Sequence, residues 1–236
     1  MDDVGGRVHV WHGVVAGEPA DADVAVLSEA ERERSARFIR PADRARFVAA
    51  HAGARRVLAR YLRTDPAAIR FATVACCKCG STEHGRPRVD WPPTTLSYNL
   101  SHSDQQWLLA AAAGRAVGVD IECFRAVELG RMAQACLSES ERAYLTEQPD
   151  SQQQEVFFRC WTRKEAVLKA CGVGLATRLT SLEVRPEQRG SVEVRHTCGS
   201  CPDTWLVQDL PVGPGWSAAV AQPAAEAGSV VVHAFP

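Results

Sequence analysis

Two carboxylates lie two residues apart in "VGVDIECFR", Val117 to Arg125. Side chains alternate along a strand, so Val119 and Ile121 face a core while Asp120 and Glu122 stand side by side on the other face. Neighbouring anions repel unless a proton or a cation lies between them. The pair points to a hard cation such as Mg²⁺; the plain alternative is a half-exposed strand. A third acid comes from "FFRCWTRKEAVLKACGVGL", Phe157 to Leu175, where Trp161, Glu165 and Lys169 share one helical face. Glu165 would stand beside Asp120 and Glu122, and Lys164 and Lys169 would meet phosphate; the plain alternative is a surface Glu-Lys pair. Upstream, "LSYNLSHSDQQW" reads as a strand running into a turn. It puts Ser101, His102 and Ser103 at the bend, where hydroxyls and imidazole can donate to phosphate oxygens.

The elements that position these groups recur at a spacing of 110 residues. "LSEAER" at Leu27 answers "LSESER" at Leu137, "ARRVLARYL" answers "KEAVLKACG", "IRFATV" answers "LTSLEV", and "WLLAAAAG" answers "WSAAVAQ". Each half begins with an apolar strand, "VHVWHGVV" or "AVGVDIE". A helix opened by a Ser and a Glu three residues later follows, the spacing of a capping box. A second amphipathic helix comes next, then strands and turns. The order lacks a regular βαβα alternation, which predicts α+β with antiparallel sheets. The reading is a duplication into two similar halves, 1–114 and 115–236. Arg40, Arg44, Arg46, Arg55 and Arg56 fall on a helical region of the first half, as a solvated face or as anchors for an anionic ligand.

Composition narrows the class. With 46% hydrophobic and 23% charged residues the chain of 236 is globular, and a net charge of -1 gives no footprint for nucleic acid. No apolar run approaches a membrane span of ~20 residues. "MDDVGGRVHVWHGVV" lacks the cationic and apolar regions of a secretory signal, so the expected location is cytoplasmic. Nine cysteines are then thiols or metal ligands. "CCKC" and "CGSC" supply two C-x-x-C pairs, a zinc signal at Cys76, Cys79, Cys198 and Cys201, with His84 and His196 as further ligands. Reduced loop thiols are the alternative.

"NLSHS" (Asn99 to Ser103), "GVDIE" (Gly118 to Glu122) and "WTRKEAVLKACGVGL" (Trp161 to Leu175) together resemble the signatures of the Sfp-type 4'-phosphopantetheinyl transferases. "HGRP" is similar to that family's G-K-P turn, with Arg86 in the lysine's place, and "LSESERAYL" matches the helix between its two acidic motifs. The resemblance implies transfer of the phosphopantetheine arm of coenzyme A to a serine of an acyl- or peptidyl-carrier protein, releasing 3',5'-ADP. It implies Mg²⁺ on Asp120, Glu122 and Glu165, and a catalytic set of Glu165, Lys169 and Asp120, with Glu165 as base and Lys169 on the leaving phosphate. It also implies coenzyme A contacts from Ser101, His102, Lys164 and Lys169, adenine contacts from Gly85, Arg86 and Pro87, and a 3'-phosphate contact from Arg44. The same resemblance implies a pseudo-twofold monomer with antiparallel sheets and coenzyme A in a cleft between the halves; Met132, Ala133 and Leu137 are the expected apolar contacts for the carrier, with plain core residues as the alternative. A Mg²⁺-dependent phosphohydrolase and a zinc-stabilised binding module are the rival readings.

Overall fold

The computed structural model describes residues 5–82, 85–174, 177–199 and 201–236. Two sheets organise them. The first runs β10 (Val230–Ala234), β1 (Val8–Val14), β5 (Gln106–Ala113), β4 (Leu96–Ser103), β3 (Gly85–Trp91), β2 (Arg70–Ala75). Only the β1–β10 pair is parallel. The second runs β6 (Gly118–Cys123), β9 (Trp216–Pro223), β8 (Thr204–Asp209), β7 (Ser191–Arg195), all antiparallel. The architecture is α+β with two lobes, as the element order predicts.

Strand alternation explains the layering. Val8 and Val10 of β1 and Leu108, Ala110 and Ala112 of β5 meet Val119 and Ile121 of β6 and Val220 of β9 in an interior between the sheets. The opposite face of the first sheet, with Trp11, Tyr98, Trp107 and Leu109, packs on Ala50, Ala54, Val57 and Leu58 of α3 (Pro41–Leu62). The opposite face of the second sheet, with Trp205, Val207 and Ala219, packs on Phe157, Val167 and Leu168 of α6 (Asp150–Cys171). Both long helices have 22 residues. Burial of these stripes, more than helix propensity, holds each helix in place.

Shorter helices line each lobe: α1 (Asp21–Ala25) and α2 (Glu29–Ala36) in the first, α4 (Leu129–Cys136) and α5 (Glu139–Thr146) in the second. Both expected capping boxes form. Ser28 accepts from the Glu31 N–H while Glu31 accepts from the Ser28 N–H, and Ser138 and Glu141 do the same. Each box satisfies two of the donors that a helix start leaves open.

Three features differ from the sequence reading. "LTSLEV", matched to "IRFATV", forms a single 3-10 turn, Leu179–Ser181, where "IRFATV" contributes to β2. The Val184 N–H goes to Glu141 Oε1 and its carbonyl accepts from Arg163, so side chains take the backbone groups that a ladder needs. Ser101, His102 and Ser103 lie within β4; the bend falls on Asp104, at φ 40°, and Gln105. The last strand, β10, leaves the second half and pairs with β1. Among the described residues no helix is long and apolar enough to cross a membrane.

Candidate active site

Gly118, Asp120 and Glu122 share the face of β6 that turns toward α6. A side chain cannot replace Gly118: a Cβ there would stand 2.1 Å from the Ala166 carbonyl oxygen and 2.5 Å from the Ala170 nitrogen. The missing side chain lets α6 lie against the strand. From Val156 to Cys171 every residue of α6 is buried except Trp161, Glu165 and Lys169. The i, i+4, i+8 face is therefore the open one, and it carries the acid and the base toward the carboxylates of β6.

Lys169 Nζ donates to Asp120 Oδ1 at 2.6 Å and to Ser101 Oγ at 2.9 Å. Ser101 Oγ donates to the same Asp120 oxygen at 2.9 Å. Glu122 Oε2 accepts from Ser103 Oγ at 2.8 Å and from Arg125 Nη1 at 2.9 Å. Asp120 Oδ2 and Glu165 Oε1 are buried and have no hydrogen-bond partner among the described residues. Burial, then the negative charge of Asp120, pushes the Glu165 carboxyl up to about 7, with Glu122 adding to the rise and Lys169 opposing it. Burial raises Asp120 as well, against the pull of Lys169. The three acids thus share one electrostatic site, short of positive charge. A carboxylate that titrates near neutrality is suited to take a proton from an attacking group.

His102 projects from the other face of β4, toward α3. It reaches solvent, yet its imidazole is held below the usual histidine range by partial desolvation and then by the neighbouring basic groups His51, Lys169, Arg34 and Arg46. His51 meets Glu31 at 3.1 Å and stacks on Phe47, and the Arg34 guanidinium lies over the same ring. Arg46 is tied to Asp43 and Asp104. This cationic rim adjoins the acidic group through Lys169, a pairing that suits a ligand with several phosphates near a metal.

Residues 116–221 match the family model of the 4'-phosphopantetheinyl transferase superfamily. Across 184 residues the chain is 34% identical to the 4'-phosphopantetheinyl transferase HetI of a Nostoc species, covering 75% of this chain and 73% of that protein. The chain belongs to this superfamily. It is also 29% identical to the 4'-phosphopantetheinyl transferase Sfp of Bacillus subtilis, over 82% of this chain and 81% of that one. The matched stretch spans β6 to β9 and so contains the acidic strand and all of α6.

As a superfamily member the chain brings Asp120, Glu122, Glu165, Lys169 and Ser101 together, with His102 at their side. Lys164 is not among them. It is fully buried; its ammonium donates to the Cys136 carbonyl at 2.8 Å and the Leu179 carbonyl at 3.0 Å, and it forms an ion pair with Glu141 Oε2 at 2.5 Å. These partners hold the ammonium inside the second lobe, away from the acidic cluster. Arg44 is exposed on the first turns of α3 and has no side-chain bond to the site among the described residues. Gly85, Arg86 and Pro87 open β3 just past the end of α6, where Gly172, at φ 73°, packs against the Arg86 backbone. Arg86 lines a cavity of about 330 Å³ with Arg115, Cys171 and Trp205. Ala133 and Leu137 are buried in the second lobe's core, and Met132 packs against it partly buried, so two of the three expected carrier contacts are interior residues.

The zinc expectation is overturned. Among the described residues no group of three His, Cys, Asp or Glu side chains is placed to hold a metal ion. Cys76 is buried in the second lobe's core while Cys79 is exposed, so the expected pair diverges. The sulfurs that meet are Cys77 with Cys201, at 3.0 Å, and Cys77 with Cys198, at 3.3 Å. Burial, then the bond to Cys77, pushes the Cys198 thiol up to about 11. His196 is buried, and His84 lies outside the described residues.

The sequence reading assigned no part to Arg34, His51 or Asn99, and gave Ser103 to phosphate. Nothing in the local pattern marks Arg34 or His51, because only the packing of α2 and α3 beside β4 brings them to His102. Asn99, Ser101 and Ser103 did carry a signal: their spacing of two equals that of Val119, Ile121 and Cys123.

Proposed function

We propose that the chain transfers the 4'-phosphopantetheine arm of coenzyme A to a serine of an apo acyl- or peptidyl-carrier protein, releasing 3',5'-ADP, in a Mg²⁺-dependent reaction. The observation that carries this reading is Glu165: a carboxyl raised to about 7, with one unpartnered oxygen, beside a Lys169–Asp120–Ser101 cluster in a member of this superfamily. Glu165 accepts the serine proton, directly or through water. The serine oxygen then bonds to the phosphorus that carries the pantetheine arm. The bond from that phosphorus to the bridging oxygen breaks, and 3',5'-ADP leaves with the electron pair. Lys169 stands where it can neutralise the departing phosphate, which is where charge develops.

The donor set fits Mg²⁺. Among the described residues the three carboxylates are not already drawn together as a metal cage; Asp120 and Glu165 each keep an oxygen without a partner there, and with Glu122 they would hold the ion as it brings its own ligands. No preassembled cage is needed, since Mg²⁺ typically takes one or two carboxylates and completes its octahedron with water and phosphate. Bound there, it would offset the diphosphate charge and polarise a phosphoryl oxygen. The 3'-phosphate goes to the rim of His102, Arg34 and Arg46, with Arg44 two residues nearer the start of α3, and the adenine to Gly85, Arg86 and Pro87. In this reading the halves 1–114 and 115–236 descend from a duplication and the substrate lies in a cleft between them. The paired capping boxes and the two equal long helices support that.

The test is incubation with coenzyme A, Mg²⁺ and an apo carrier protein, read by mass spectrometry. The expected result is a gain of one phosphopantetheine on the carrier, lost in Glu165→Gln. Coenzyme A breakdown without a gain on the carrier would overturn the transferase reading in favour of a phosphohydrolase.

A further inference from the structure

We infer that Ser103 is a positioning residue for Glu122, and that Asn99, Ser101 and Ser103 together take the place of a neighbouring strand along β6. The inference rests on the transferase reading above. β6 is the edge strand of the second sheet. Antiparallel pairing with β9 uses one side of it, and the N–H groups of Val119, Ile121 and Cys123 point to the other. An open edge of this kind needs partners. Here no backbone supplies them. The Val119 N–H donates to Asn99 Oδ1 at 3.1 Å, the Ile121 N–H to Ser101 Oγ at 3.4 Å and the Cys123 N–H to Ser103 Oγ at 3.2 Å. Three side chains of β4, each two residues from the next, meet three amides of β6 in the same register.

The residue types follow from what stands beside each amide. A hydroxyl that accepts from an N–H keeps a proton to give, which a carbonyl lacks. Ser101 gives its proton to Asp120 and Ser103 gives its own to Glu122. Asn99 lies beside Gly118, where no carboxylate needs a donor, and an amide oxygen that only accepts is sufficient. The bonds that join the two sheets at this seam therefore also aim the two acids of β6. Because Ser103 Oγ is engaged on both sides, it is not a phosphate donor.

The test compares Ser103→Ala, Ser103→Thr, Asn99→Ala and Glu122→Gln in the full chain. Mn²⁺ binding is measured by calorimetry with coenzyme A present, and amide hydrogen exchange is followed at Val119 and Cys123. Ser103→Ala is expected to weaken Mn²⁺ binding about tenfold, the usual cost of losing a bond behind a metal ligand, and to speed exchange at Cys123. Ser103→Thr should restore both. Asn99→Ala should speed exchange at Val119 and leave Mn²⁺ binding unchanged, a contrast that a merely structural role for all three would not produce. If Glu122→Gln weakens Mn²⁺ binding and Ser103→Ala does not, the positioning role is wrong and the transferase reading stands. If Glu122→Gln itself binds Mn²⁺ as the parent does, the metal part of the functional reading fails and this inference fails with it. Should Ser103→Ala melt too low to assay, Ser103→Cys, which keeps the volume and donates weakly, provides the same comparison.

Discussion

Replacing Lys164 by Met should unfold the second lobe well before it alters chemistry. The Lys164 ammonium joins α6 to the start of α5 through Glu141, to the end of α4 through the Cys136 carbonyl, and to the turn at Leu179. Both side chains of the pair are at most 1% exposed. Removing one partner of such a pair leaves a buried charge without compensation, at a cost of about 3–5 kcal/mol. A chain of this size loses about 2–4 °C of melting temperature per kcal/mol, so the fall should be roughly 6–20 °C. Scanning calorimetry measures it, and urea unfolding gives the free energy independently. The double variant Lys164→Met/Glu141→Gln should recover part of the loss, because no lone carboxylate then remains. A Lys164→Met protein that melts like the parent but no longer binds coenzyme A would refute this reasoning and return the lysine to the phosphate.

Four further outcomes follow. Glu165 must be ionised to accept a proton, so kcat/KM should rise with pH through about 7; raising Mg²⁺ should move that midpoint down, and a pH-rate profile at two Mg²⁺ concentrations shows both. The same raised carboxyl acts on stability: between pH 4.5 and about 7 the folded state keeps a proton that the unfolded state has lost, so stability falls as pH rises through that window. Glu165→Gln should accordingly be more stable than the parent at pH 8, with the difference gone below pH 4.5, as urea titrations at the two pH values would show. Gly118→Ala should push α6 off β6 and cost about 1–3 kcal/mol, with transfer reduced as well; a melt and the carrier assay together measure it. Purified protein should hold zinc at well under one ion per chain, and a zinc-selective chelator should leave its melting temperature unchanged; stoichiometric zinc by atomic emission would contradict the thiol arrangement.

Local rules carried the reading far where the determinant is itself local. Ser28 with Glu31 and Ser138 with Glu141 are legible because a capping box is complete within four residues. The open face of α6 is legible because a spacing of four fixes a direction on any helix. Lys164 was misread for the same reason: it is next to Glu165 in sequence, but one residue on a helix is about a quarter turn away, and what lies there depends on α4 and α5. The thiols failed differently. C-x-x-C spacing fixes neither sulfur's direction, and the loop turns Cys77, the residue inside the motif, toward Cys198 and Cys201. "LTSLEV" has strand composition, but Glu141 and Arg163, from elsewhere in the chain, claim its backbone. Repeat matching found the two capped helices, failed at "LTSLEV", and gave no signal for β10, whose pairing with β1 is long-range.

Parallel pairing of Val230–Ala234 with β1 ties together stretches from opposite ends of the sequence. Until residues 230–234 emerge and dock, β1 presents a bare hydrogen-bonding margin to whatever else can add a strand. A fragment cut after residue 114 would carry that exposed margin permanently. Separately expressed halves are therefore expected to aggregate unless the terminal strand is grafted back beside Val8.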